Sequence, residues 1–107
     1  MRPVTLTLTT APASSNVYAV DIHRIAGIAL GVKPGGLTVT VQHTFDDVFA
    51  PGFDPATATW FDHATLKALT ANTDSNYAYL PRGIRLTSSA GTGTATLTII
   101  QMGVAGN

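Results

Sequence analysis

Cysteine is missing from all 107 residues, so disulfides and thiolate zinc sites are excluded. Glutamate is missing too: the acidic residues are all aspartates, at Asp21, Asp46, Asp47, Asp54, Asp62 and Asp74. Glutamate builds helices, whereas aspartate favours caps and turns. Charge is scarce at 11% of residues, against a usual share of about 25%. Net charge is zero. Phosphate backbones and anionic membrane surfaces are held by a surplus of cations, so neither nucleic acid nor membrane is an expected partner. Few charges also mean little repulsion between copies, which favours assembly. No apolar run is long enough to span a membrane. Residues 4–9 alternate apolar and hydroxyl side chains, where a secretory segment needs a continuous apolar core, so no signal peptide is expected.

What the chain does have is threonine, its commonest residue and a strand former, and a hydrophobic content of 45%, enough for one core. Its length fits a single domain over residues 1–107. Residues 37–45 organise the rest. Leu37, Val39, Val41, His43 and Phe45 fall on one side of an extended chain, and Thr38, Thr40, Gln42 and Thr44 on the other. Lys33-Pro34-Gly35-Gly36 sets the start and Asp46-Asp47 the end. A run this long belongs in the middle of a sheet, with the apolar row inward.

Around it the pattern is one of short strands. Residues 4–9 form a half-buried strand limited by Pro3, which marks a sheet edge. Residues 11–16 read as a loop and 17–22 as a strand with Tyr18, Val20 and Ile22 on one face. Residues 25–32 fit a strand better than a helix, because Ile and Val dominate and a turn follows. Residues 46–57 form a long Pro/Gly loop that Phe45, Phe49 and Phe53 should hold down on the body. A strand is expected at 58–61, where Trp60 and Phe61 should plug the core. Asp62 can cap one or two helical turns over 62–71, with Leu66 and Leu69 on one side. A polar loop at 72–76, an extended stretch at 77–80 and a strand at 82–88 follow. Residues 89–93 read as a hairpin turn returning into a last strand over 94–102. Seven or eight strands at this spacing predict an all-β antiparallel sandwich, of jelly-roll type, with at most one short helix.

Chemistry is thin. His23 stands near Asp21, His43 near Asp46 and His63 near Asp62, but no tight ligand pair accompanies them, and a metal-binding cupin would need a glutamate. These residues are better read as caps at strand ends. Asp46, Asp47 and Asp54 have the oxygen ligands calcium takes, yet aspartates in a Pro/Gly loop ordinarily hold turns. Ser14, Ser15, Ser75, Ser88 and Ser89 sit in turn contexts without a nucleophile elbow. Asp46 and Asp47 are adjacent, which on a strand sends their carboxylates to opposite faces, unlike a glycosidase pair. Trp60, Tyr77 and Tyr79 could form a sugar platform, the alternative of a carbohydrate-binding module; otherwise the tyrosines cover the core rim with wet hydroxyls. Arg85, opposite Ile84 and Leu86, can pair with an aspartate of the Asp46-Asp47 loop, while Arg82 lies beyond Gly83. No catalytic, cofactor-binding or metal residue is assigned, and no enzyme is expected.

Three segments together carry a resemblance: Thr38-Val-Thr-Val-Gln-His-Thr-Phe-Asp-Asp47, Thr59-Trp-Phe-Asp-His63, and Tyr79-Leu-Pro-Arg-Gly-Ile-Arg85 with Gly91-Thr-Gly-Thr-Ala-Thr-Leu-Thr-Ile-Ile-Gln101. They resemble the small jelly-roll decoration, or cement, proteins of short-tailed bacteriophages. The resemblance implies a β-sandwich on the outside of the capsid, made in the bacterial host cytoplasm, clamping the major capsid protein. It fits a tail or connector component of similar build as well. Uncharged strands at 4–9 and 92–102 are the expected sheet edges, and edges of that kind pair with neighbours, so a homo-oligomer (dimer or trimer) is expected. Residues 1–3 and 103–107 should order only against a partner.

Overall fold

Strand formation follows the apolar/threonine alternation. The computed structural model describes residues 3–20, 27–77 and 81–101. Among the described residues nine strands run in order: β1 (Val4–Leu8), β2 (Ala13–Ser14), β3 (Tyr18–Ala19), β4 (Ile28–Lys33), β5 (Leu37–Thr44), β6 (Phe61–Asp62), β7 (Thr73–Tyr77), β8 (Gly83–Gly91) and β9 (Ala95–Gln101). No helix occurs among the described residues. One sheet has the order β1-β9-β4-β7; the other has β2-β8-β5-β6, with β3 also on β8. Every pairing is antiparallel. Counting β2 and β3 as one interrupted strand, first pairs with last, second with seventh, third with sixth and fourth with fifth. That nested order is a jelly roll.

The inner faces supply the core. Leu37, Val39 and Val41 of β5, Ile84 and Leu86 of β8, Ala95, Leu97 and Ile99 of β9, and Ile28, Leu30 and Val32 of β4 are all buried. Residues 25–32 are therefore strand from Ile28 onward; Ile22, Ile25 and Ala26 lie outside the described residues.

Several expectations are corrected. Residues 89–93 do not close a hairpin, because β8 and β9 belong to different sheets. The chain instead crosses the sandwich there, as it does at 33–37, and the two crossings nest. Gly35 and Gly93 have φ of 59° and 137°, and a Cβ on either would fall on the backbone carbonyl of the opposite crossing. Residues 11–16 are not all loop: Ala13 and Ser14 pair with Ser88 and Thr87. Of the loop expected at 72–76, residues 73–76 are strand and belong to β7, and the strand expected at 58–61 is β6 instead. The last strand is no edge, since β9 lies between β1 and β4; β1 is an edge as expected.

The helix expected over 62–71 is also absent. Asp62 ends β6, and the following residues run irregularly along β5. β6 reaches only Gln42 and His43, so the rest of that β5 edge needs partners. Val39 and Leu69 exchange backbone hydrogen bonds at 3.0 and 2.7 Å, and the Val41 N–H donates to the Leu66 carbonyl at 2.9 Å. These bonds outweigh the helical spacing of the two leucines, and they insert Leu66 into the core with no exposed surface. Trp60 and Phe61 do not plug the core: Phe61 is 49% exposed and Trp60 half-buried on the outer surface. Phe45 leaves the inner row, 52% exposed, because β5 ends at Thr44, which is itself buried. Phe49 stands out at 76% exposure rather than holding the loop down.

Candidate functional site

One end of the sandwich has a polar interior. Across the four-stranded sheet, Gln101, Ile28 and Tyr77 share a row. Across the other sheet, Tyr18, Ile84, His43 and Phe61 share a row. The rows face each other. The Tyr18 hydroxyl donates to Gln101 Oε1 at 3.0 Å, and His43 Nδ1 meets the Tyr77 hydroxyl at 2.8 Å. Two polar clasps thus cross the core on either side of the Ile28/Ile84 pair, which is buried. Tyr77, placed on the core rim with a wet hydroxyl by its sequence, is buried with that hydroxyl on His43.

His63 completes the cluster. Its Nδ1 accepts from the N–H groups of Thr65 and Leu66 at 3.1 and 3.2 Å, which puts the ring proton on Nε2, where it is donated to the Asn76 carbonyl at 2.8 Å. His63 therefore caps a turn and ties residues 63–66 to β7. Tyr77 lies edge-on to both imidazoles, with centroids 5.0 Å from His43 and 4.8 Å from His63. On the solvent side, Phe61 stacks on His43 at 5.8 Å and Phe45 stands 5.9 Å from Phe61.

Burial, with a further push from His63, lowers the His43 pKa below its ordinary 6.5, and Asp62 opposes the shift. The imidazole is thus neutral at pH 7 and harder to protonate folded than unfolded. Its contribution to stability is complete above the unfolded value of 6.5 and is lost as pH falls toward the lower folded value. An NMR titration should accordingly give His43 a midpoint below 6.5, and urea midpoints should drop on acidification through that window. A His43 midpoint at or above the ordinary value would overturn this.

His43 and His63 do not hydrogen-bond the aspartates beside them in sequence. His43 bonds Tyr77 rather than Asp46, and Asp62 accepts from Gln42 Nε2 at 2.9 Å, with Lys67 3.9 Å away, rather than joining His63. His23 and Asp21 lie outside the described residues. Asp46, Asp47 and Asp54 each hold a turn or loop by accepting the N–H of Thr59, Phe49 and Ala56 respectively, at 2.9–3.0 Å. They border a hollow of about 260 Å³, but no group of three His, Cys, Asp or Glu is placed to hold a metal ion among the described residues. Ser15 and Ser88 donate to the Asn16 and Thr10 carbonyls, and Ser75 meets Thr65; none of these contacts is to a histidine.

Arg85 does not reach the Asp46-Asp47 loop. It donates from Nε to Gln42 Oε1 at 2.9 Å and lies 4.1 Å over the Trp60 ring, while Arg82 takes Asp47 at 3.3 Å. The Trp60 Nε1 donates to the Pro55 carbonyl. Of the expected sugar platform, Trp60 has one face under Arg85 and Tyr77 is buried, while Tyr79 lies outside the described residues.

The outer face of the four-stranded sheet is different again. Thr5 and Thr98 adjoin Gly31 and Asp74 in one row, and Thr7 and Thr96 adjoin Lys33 in the next. Gly31 floors a shallow hollow of about 300 Å³, and Ile100 nearby is 40% exposed. Lys33 and Asp74 are the charged residues of this face among those described. Compared with protein-family models, curated proteins and solved structures, the chain matches none.

Proposed function

We propose that this chain is a non-enzymatic virion structural protein that sits on the outside of a phage capsid, binds the major capsid protein and stabilises the shell. The observation that carries the reading is the broad outer face of the β1-β9-β4-β7 sheet, paved with threonine, alanine and glycine and nearly free of charge. Depletion of charged residues is the compositional mark of an interface core. The buried polar side chains hydrogen-bond one another across the core, which accords with the same reading. Self-association into a dimer or trimer belongs to the same reading, as does synthesis in the host cytoplasm. The balanced charge offers phosphate or anionic lipid little to hold.

Mass spectrometry of purified particles tests this directly. The protein should be present in intact virions, cryo-electron microscopy should place it on the head exterior, and adding it to bare shells should raise their disruption temperature. Absence from the particle would end the proposal, and density confined to the tail or connector would move it to that alternative.

A further inference from the structure

The two sheets present four edges, and three are blunted. β7 carries Asp74 and is covered by residues 63–66, with His63 capping the outward carbonyl of Asn76 and Thr65 meeting Ser75 at 3.2 Å. β6 is two residues long, and β2 and β3 are two residues each with a break between them. Natural sheets protect their edges by such charge, cover and brevity. Among the described residues β1 has none of these. It runs five residues in unbroken register with β9, without charge or proline, and among the described residues it has no strand on its other side.

A second feature points the same way. Leu6 and Leu8 are 8% and 6% exposed, whereas the other buried apolar core residues are at 3% or less, and Val4 is half-buried. The core is least covered along this edge. Any occupant must extend the sheet and also continue its apolar row.

We infer that the open edge of β1 pairs with β1 of a second copy, antiparallel across a two-fold axis at Leu6, to make one continuous eight-stranded sheet. In this register Leu6 faces Leu6, Val4 faces Leu8 and Thr5 faces Thr7. Directly opposite residues share a face, so the apolar row of one copy continues the other's and the threonines pair on the outside. A one-residue slip would set threonine against leucine. The chain's zero net charge puts no repulsion across the contact. The inference deepens the self-association part of the proposed function and rests on it, but not on capsid binding.

Thr5 and Thr7 are exposed, so charged substitutions there spare the core. Sedimentation at high micromolar concentration should give a dimer for the wild type. Thr5→Lys/Thr7→Lys and Thr5→Asp/Thr7→Asp, each setting like charges opposite one another, should both be monomers with unchanged circular dichroism. Mixed together, the two variants should dimerise, because each lysine then faces an aspartate. A wild-type monomer overturns the inference and self-association with it. A dimer that both variants retain overturns the β1 edge alone, and a mixture that stays monomeric overturns the register. Capsid binding is read separately, on particles, so its failure is distinct from all three.

Discussion

Gly93→Ala should destabilise the domain severely, while Gly31→Ala should be tolerated. Left-handed backbone by itself costs an L-residue about 1–2 kcal/mol. At Gly93, with φ of 137°, an added Cβ would also fall on the Gly35 carbonyl. The obstacle is backbone on the other sheet crossing, so relief requires the two crossings to part. For a domain with total stability of about 5–15 kcal/mol, that is a large fraction. Gly31 is the control: it lies in β4, and a Cβ there meets nothing within 4 Å. Urea midpoints of the two variants should separate widely. A Gly93→Ala protein within about 0.5 kcal/mol of wild type, the ordinary range of a surface substitution, would show that the crossings are not interlocked.

The second large effect is expected at Leu66. Leu66→Ala removes a fully buried side chain from a place where two sheets and an irregular segment meet, and such truncations cost about 2–5 kcal/mol. Phe61→Ala removes a larger side chain but one that is 49% exposed, and the loss should be the smaller of the two. Chemical denaturation of both variants decides the ranking. A greater loss at Phe61 would mean that the aromatic pair, and not Leu66, seals this side of the core.

That ranking reverses what Trp60 and Phe61 imply when read along the chain, and the reason is physical. Alternation locates a strand when one of its faces is buried, so β1, β5 and β9 are legible from their threonine rows. β7, Thr-Asp-Ser-Asn-Tyr, is an edge strand with polar residues on both faces and shows no period. The spacing of Leu66 and Leu69 is helical, but the unmet backbone groups of β5 are a tertiary demand with no local trace. Gly91-Thr92-Gly93 marks a reversal, and the same residues serve a hairpin or a crossing between sheets; which one depends on where β1 and β4 lie. His63 is legible as a hydrogen-bonded cap. The partner of His43 is not, because it is Tyr77 across the sandwich and not the aspartate beside it.

The nested strand order also bears on how the protein is made. Of the described strands, β1 leaves the ribosome before all the others and its partner β9 after them. Until β9 emerges, Val4, Leu6 and Leu8 have no sheet to join, and pairing across so long a separation is slow. Waiting strands of this kind are where nascent chains stick to one another. Threonine at alternate positions keeps such a strand wetted without adding charge that the finished sheet would have to accommodate. The hazard therefore falls on chains still being translated, and yield in expression should respond to the rate of synthesis more than to the stability of the completed domain.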